Sequence, residues 1–309
     1  MMLDGVLVVD KPAGLTSHDV VAAARRAAGQ KRVGHTGTLD PFATGVLALV
    51  LGRATRLSRF LTASTKRYVA GVRLGVATDT YDVTGVPAGE PSPARVVDAI
   101  DASTIEPVLA RFRGTLEQAP PPFSAKKIGG VRAYTLARRN VAVAPPPVTV
   151  TVHECRVVSV EQGLVTLDIS CSAGCYVRSL AHDLGAALGV GAHLECLRRT
   201  ASGELTIDQA ISLAALVEGG ATAAGARLVP LDELLGDYPG ARLTETGVEA
   251  VRHGRAVRPS EVCGWLGPSS VEDRPIRLLA SDGQLVALAT RAAVGGGPAS
   301  LLRPTVVLV

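Results

Sequence analysis

The hydrophobic positions along the chain change their period several times, and each change marks an element. Residues 6–9 are a continuous apolar run closed by Asp10-Lys11-Pro12, the pattern of a buried strand that enters a turn. Val20, Val21, Ala24, Ala27 and Ala28 then recur at helical spacing, with Ser17 placed to cap the helix and Gly29 to stop it. Residues 32–41 hold Gly34 and Gly37 among polar side chains and read as a loop, followed by an apolar run over 46–51. From Tyr68 onward, Tyr68, Ala70, Val72 and Leu74 alternate with Val69, Gly71 and Arg73, which predicts a strand with one strongly apolar face. Ile105, Val108, Leu109 and Phe112 predict a helix that ends at Gly114.

A proline-bounded insert follows, about residues 120–147. It carries Lys126, Lys127, Arg132, Arg138 and Arg139 between Pro120-Pro121-Pro122 and Pro145-Pro146-Pro147, so it is isolated from strand pairing and locally basic. Residues 148–156 and 164–169 read as strands, with Val165, Leu167 and Ile169 on one face. Val177, Leu180, Leu184 and Leu188 mark a helix stopped by Gly189, and a short helix is expected over 207–216. The small residues of 218–225 then read as a linker. Beyond it short apolar segments alternate with turns, and Asp282-Gly283 predicts a hairpin between 277–280 and 285–290. The expected organisation is a catalytic-sized domain over 1–225 and a small β-rich module over 226–309.

Composition narrows the class. With 47% hydrophobic and 19% charged residues among 309, the chain is not a disordered one. Aromatic residues are 3%, which leaves the core to Val, Leu, Ile and Ala. The net charge of +4 permits an anionic partner without demonstrating one. Five cysteines cannot all pair within the chain, and they and the six histidines show no close-spaced zinc pattern, so no metal site is expected. The first ten residues lack a basic leader and no apolar stretch reaches membrane-spanning length, so a soluble cytoplasmic protein is the expectation.

Four short segments carry candidate chemistry. In Gly34-His35-Thr36-Gly37-Thr38-Leu39-Asp40-Pro41, Pro41 biases Asp40 toward an extended backbone, which presents its carboxylate as nucleophile, base or turn acceptor. In Lys66-Arg67-Tyr68 the ring can lie against a planar substrate while both cations face anions; equally, it caps the core beside solvated charges. Arg178, in Gly174-Cys175-Tyr176-Val177-Arg178, stands at a helix start that already favours anions, and so calls for a carboxylate or phosphate nearby. Leu197-Arg198-Arg199 supplies either an apolar wall beside an anionic ligand or a strand edge. No phosphate loop, dinucleotide fingerprint or nucleophilic serine elbow accompanies them.

Together with residues 5–12, Ala43-Thr44-Gly45-Val46-Leu47, Leu74-Gly75, Thr78-Asp79-Thr80, Phe123-Ser124-Ala125, residues 171–179 and Gly191-Ala192-His193-Leu194, these segments resemble the bacterial TruB family of tRNA pseudouridine synthases. The ordered resemblance runs over about residues 5–215, and the Ala, Gly, Arg and Val bias points to an actinobacterium. It implies an α+β pseudouridine synthase fold with a mixed, largely antiparallel central sheet, flanking helices and a PUA-like C-terminal module. It implies isomerisation of uridine 55 in the tRNA T loop by a monomer, with no cofactor, no metal and no protein partner. By position, Asp40 matches the essential aspartate, Tyr68 the tyrosine that stacks on the target base, and Arg178 the arginine that pairs with the carboxylate. Tyr176 and Leu197 match pocket residues and His35 a residue that contacts the opened T loop. The 120–147 insert resembles the family's thumb, whose Lys126, Lys127, Arg132, Arg138 and Arg139 would meet phosphates. A phenylalanine, Phe123, stands where many relatives have tyrosine, and Cys175 where threonine is common. The competing expectation is a non-catalytic RNA-binding or tRNA-folding protein.

Overall fold

The computed structural model describes residues 2–123, 127–128, 131–132, 146–267, 274–293 and 300–309. Its first strands are β1 (Gly5–Lys11), β2 (Val33–His35), β3 (Thr44–Leu51), β4 (Lys66–Leu74) and β5 (Gly114–Gln118). A short pair, β6 (Lys127–Ile128) and β7 (Val131–Arg132), sets Lys127 opposite Arg132. Then come β8 (Val148–Glu161), β9 (Leu164–Cys171), β10 (Ala192–Ser202), β11 (Leu205–Thr206), β12 (Ile211–Ser212) and β13 (Leu228–Pro230). Among the described residues, all of these except β6 and β7 form one mixed sheet in the order β12-β1-β3-β10-β4-β9-β8-β5, with β2 on β3, β11 on β10 and β13 on β1. The β1–β12 and β3–β10 pairs run parallel and the others antiparallel.

The helices are α1 (Ser17–Ala27), α2 (Ser58–Thr62), α3 (Ala94–Val97), α4 (Ala102–Leu109), α5 (Val177–Ala187), α6 (Leu213–Ala226) and α7 (Glu245–Arg252). Helices α4 and α5 cover one part of the sheet, where Ile105, Leu109, Leu180 and Leu184 pack with Val72, Leu167, Ile169 and Leu194. Helices α1 and α6 cover another, over Leu7, Val9, Leu47 and Leu49. The opposite face of β1, carrying Val6 and Val8, packs with Leu231, Leu234, Leu288 and Leu308. Strand β1 is therefore buried on both sides, which is why it reads as an unbroken apolar run rather than an alternating one. Each fully buried leucine here contributes roughly 1.5–3 kcal/mol of apolar burial.

Three local expectations change. Thr16, not Ser17, caps α1: its hydroxyl accepts from the Asp19 amide while the Asp19 carboxylate accepts from the Thr16 amide. Ser17 lies one residue inside, buried, and is used elsewhere. Residues 207–216 are not one helix, because a short 3-10 turn and β12 precede α6. The small-residue stretch read as a linker is most of α6, interrupted at Gly220 (φ 58°, ψ −142°). Alanines and glycines look unstructured by composition, yet Ala224 is fully buried where α6 meets α1 and β1.

The chain returns to the large sheet at β13, which pairs with residues 5–7. Only then does the second sheet begin. Its strands are β14 (Gly240–Leu243), β15 (Val262–Leu266), β16 (Ile276–Leu279), β17 (Leu285–Ala293) and β18 (Ser300–Val307), in the order β15-β14-β16-β17-β18. The β16–β17 hairpin turns at Asp282-Gly283 as the sequence predicts, with Gly283 at φ 91°.

Candidate active site

The loop between β2 and β3 carries Asp40, and buried groups hold it from several sides. The Leu39 amide donates to the Ser17 hydroxyl (2.9 Å), which donates back to the Leu39 carbonyl (3.1 Å). Lys11, fully buried at the end of β1, donates to the carbonyls of Pro12 (2.8 Å), Pro41 (3.2 Å) and Ala43 (2.8 Å). The Ala43 amide donates to the Asp40 carbonyl (3.1 Å) and closes a turn with Pro41 inside it. Arg199 of β10 donates to the carbonyls of Gly37 (3.0 Å) and Val46 (2.6 Å). Gly45 lets β3 and β10 approach there: its φ is +99°, and a Cβ would stand 2.2 Å from the Arg199 carbonyl oxygen.

Arg178, near the start of α5, faces this loop. Its Nε lies 2.9 Å from Asp40 Oδ2 and its Nη2 3.3 Å from Asp40 Oδ1, a two-pronged pair. Nη1 donates to the Thr80 carbonyl (3.2 Å) and to Asp82 Oδ2 (3.3 Å), and Nη2 also reaches the Phe123 carbonyl (3.1 Å). All five N–H groups of the guanidinium are thereby engaged. The cation that looked misplaced at a helix start is thus matched by two carboxylates, Asp40 and the buried Asp82. The start of α5 is itself stitched to the end of β5. Gln118 donates to the Tyr176 carbonyl and accepts from its amide, and the Ser179 hydroxyl donates to the Ala119 carbonyl.

The Asp40 side chain keeps 34% of its surface exposed, against 8% for Arg178. Burial of the carboxyl pushes its pKa above the ordinary value; Arg178 opposes this and Asp82 adds to it. Tyr68 is buried on β4, opposite Arg199 on one side and Ile169 on the other. Burial pushes its phenol up to about 12, so it is a neutral hydroxyl at physiological pH. Leu197 is buried on β10 opposite Ala70, two positions from Arg199. His35, half-buried at the end of β2, accepts from the Gly37 amide through Nδ1 (3.3 Å) and meets the His18 ring edge-on at 5.4 Å. Burial, His18 and Arg199 all lower its pKa, which favours a neutral imidazole with its proton on Nε2.

The structure therefore brings Asp40 and Arg178 into contact and sets Tyr68, Leu197, His35 and Tyr176 on the elements around them. The side chains of Lys126, Lys127, Arg132, Arg138 and Arg139 lie outside the described residues. Two expectations about cations change. Lys66 does not face outward: its Nζ is turned onto the carbonyls of Thr62 and Ser64 and the Ser64 hydroxyl. Arg198 pairs with Asp10 (2.9 Å) and Arg199 is buried. Asp82 is the supporting residue that motif reading does not single out, while Lys11, Ser17 and Arg199 are named by it without the supporting roles they hold here. The one available signal for Asp82 is that it follows Thr78-Asp79-Thr80, a segment already of interest.

Comparison with known proteins shows the family. The family model described as TruB family pseudouridylate synthase (N terminal domain) matches residues 25–177, which include Asp40, Tyr68 and Tyr176. The tRNA pseudouridylate synthase B C-terminal domain model matches residues 178–236 and begins at Arg178. The tRNA pseudouridine synthase B of Solibacter usitatus is 49% identical over 257 residues, 82% of this chain and 85% of that protein. That of Thermobifida fusca is 44% identical over 297 residues, 93% and 94% of the two chains. The crystal structure of a Cbf5-Nop10-Gar1 complex contains a chain that superposes with a TM-score of 0.77 at 27% identity, over 99% of this chain and 85% of that one. Fold and likeness together define a pseudouridine synthase. Within that class, the chain belongs to the TruB family.

Proposed function

We propose that the protein converts uridine 55 in the T loop of tRNA to pseudouridine, with Asp40 as its catalytic carboxylate. The Asp40–Arg178 pair, its guanidinium held by three further donor contacts to Thr80, Asp82 and Phe123, carries this reading. A uridine inside folded RNA must leave its stack to reach the carboxylate, at a cost of a few kcal/mol offset by stacking and backbone contacts. Tyr68 supplies the ring for that stacking, with Leu197 and Tyr176 lining the pocket, and His35 offers Nε2–H as a donor to the opened loop.

The reaction breaks the N1–C1′ bond, turns the retained uracil and joins C5 to C1′. Asp40 serves it by attack at C1′, by removal of the 2′ proton, or by attack at C6; all three need it ionised. Arg178 favours that ionised form, against the larger opposing effect of burial. The C5 proton then leaves. A phenol pushed up to about 12 does not hold that proton as a free base, so Tyr68 acts as a relay that accepts it while passing its own to water. Atoms are rearranged without net oxidation, so no cofactor is called for.

The 120–147 insert and the five-stranded sheet of residues 240–307 extend the RNA contact as thumb and PUA-like module, around a catalytic unit that ends after Pro230. The protein acts as a single chain in the cytoplasm; among the described residues no helix is long and apolar enough to cross a membrane. Replacing Lys126, Lys127, Arg138 and Arg139 by neutral residues is expected to weaken RNA binding and flatten its dependence on salt.

Tritium release from a tRNA transcript labelled at uridine C5 tests the central claim. One tritium per tRNA with wild type and none with Asp40→Asn is the expected result. Release by both proteins removes Asp40 from the centre of the reaction. Tight binding without release by the wild type favours a tRNA-folding role instead.

A further inference from the structure

Arg178 is held by more than its two carboxylates. Its Nη1 is fixed by the Thr80 carbonyl and by Asp82, and the residue between those two acceptors is Tyr81. Tyr81 takes the left-handed backbone (φ 64°), one of three non-glycine residues with positive φ among the described residues. An L residue adopts that conformation only when its surroundings over-determine it.

Two contacts do so. The Tyr81 carbonyl accepts from the Leu194 amide (3.0 Å) and the Val83 amide donates to the Leu194 carbonyl (2.9 Å), which ties the turn to β10. The Tyr81 ring also lies flat on the imidazole of His182, with centroids 3.8 Å apart and planes 11° from parallel. His182 sits four residues after Arg178 on α5, on the same face of the helix. Its Nδ1 is buried, and no described residue hydrogen-bonds it. Face-to-face packing on Tyr81, rather than a hydrogen bond through Nδ1, fixes this imidazole.

Within the turn, Asp82 Oδ1 accepts from the Thr80 hydroxyl (2.9 Å), the Thr84 amide (3.0 Å) and the Thr84 hydroxyl (2.5 Å), which leaves Oδ2 for Arg178. The aspartate is rigid relative to its own turn. The position of the whole turn relative to α5 depends on what joins the two, and the ring stack joins them one helical turn from the guanidinium.

We propose that the Tyr81–His182 stack sets the position of the Arg178 guanidinium against Asp40, which makes both rings positioning residues for the isomerisation. This rests on the assignment of Asp40 as the catalytic carboxylate. Neither ring touches substrate in this role. The stack clamps the Thr80–Asp82 turn onto α5, the turn holds Nη1, and Nε and Nη2 are thereby aimed at the carboxylate.

The test uses full-length Tyr81→Gly, Tyr81→Phe, His182→Ala and the Tyr81→Gly/His182→Ala double variant, with kcat and KM from tritium release. Glycine accepts a φ of 64° freely, so Tyr81→Gly removes the ring without straining the turn. The expected result is a kcat lowered about tenfold to a hundredfold by Tyr81→Gly and by His182→Ala, with KM within about twofold. Tyr81→Phe should match wild type, and the double variant should be no worse than either single one. Undiminished kcat in Tyr81→Gly, or losses that multiply in the double variant, overturns the proposal. A crystal structure of Tyr81→Gly gives a readout independent of turnover: Nη1 should leave Asp82. An unchanged Arg178 in that structure overturns the proposal even if the wild type proves inactive, an outcome that separately counts against the synthase reading.

Discussion

Ser17 and Leu39 exchange two hydrogen bonds, amide to hydroxyl and hydroxyl to carbonyl, across 22 residues of chain. They fix the backbone immediately before Asp40, so a helix residue with no chemistry of its own determines where the carboxylate stands. Ser17→Ala leaves a buried N–H and C=O unpaired, at a cost of about 1–3 kcal/mol. Urea unfolding should show that loss. Steady-state kinetics should show kcat falling more than KM rises, because the loop that moves carries the reacting group. Equal stability and equal kcat would mean the loop holds itself.

Asp40→Asn should lower turnover by roughly 10³-fold or more, about 4 kcal/mol of transition-state stabilisation. Its effect on stability depends on pH. Because the folded pKa of Asp40 is raised above 3.8, the native state holds a proton more tightly than the unfolded chain does. Wild type should therefore gain stability relative to Asp40→Asn as pH falls from 7 through the folded pKa. Melting both proteins across that range checks the sign; parallel curves would mean that burial does not perturb the carboxyl.

The opposite limb belongs to Lys66. Burial, with Arg199 beside it, pushes its ammonium down to about 8 from 10.5. Between those values the unfolded chain binds a proton that the native state lacks, so this residue makes stability rise with pH over that window. Lys66→Met should remove the rise. Urea midpoints measured at intervals from pH 7.5 to 10.5 decide it, whatever the variant's absolute stability.

Gly45→Ala places a methyl 2.2 Å from the Arg199 carbonyl at a φ that alanine resists. Strands β3 and β10 must separate to admit it. A loss of about 2–4 kcal/mol in stability is expected, with activity falling as Arg199 shifts from Gly37. A variant as stable as wild type would show that this strand contact yields easily.

Much of this was legible along the chain. Continuous apolar runs mark β1 and β3, alternation marks β4 and β9, and the Asp282-Gly283 hairpin follows from turn chemistry alone. Local setting alone leaves Asp40 and Tyr68 between a chemical and a structural role, and the resemblance to the TruB family singles them out; the anion demanded by Arg178 is present. What escapes is set by pairing over long separations. Ser17 looks like a cap because serine suits caps, but Thr16 takes that place and leaves Ser17 free to reach Leu39. Lys11 reads as a turn residue and Arg199 as a cation beside a ligand or on a strand edge, until the β1–β3 and β3–β10 pairings bury them against loop carbonyls. Asp82 is one acid in a polar loop until α5 brings Arg178 against it. The alanines and glycines of α6 carry too little apolar contrast to show a helical period, and packing on α1 supplies what the pattern lacks.

Asp40 and Arg178 are 138 residues apart, and the elements that bear them share no hairpin. Units such as β8–β9 need only local chain closure, whereas the loop that carries Asp40 is held by the β3–β10 pairing, which spans some 150 residues. The reactive pair therefore depends on long-range assembly and not on any single hairpin. A molecule that has formed only its hairpins has not brought the two groups together, so turnover reports that the distant strands have met.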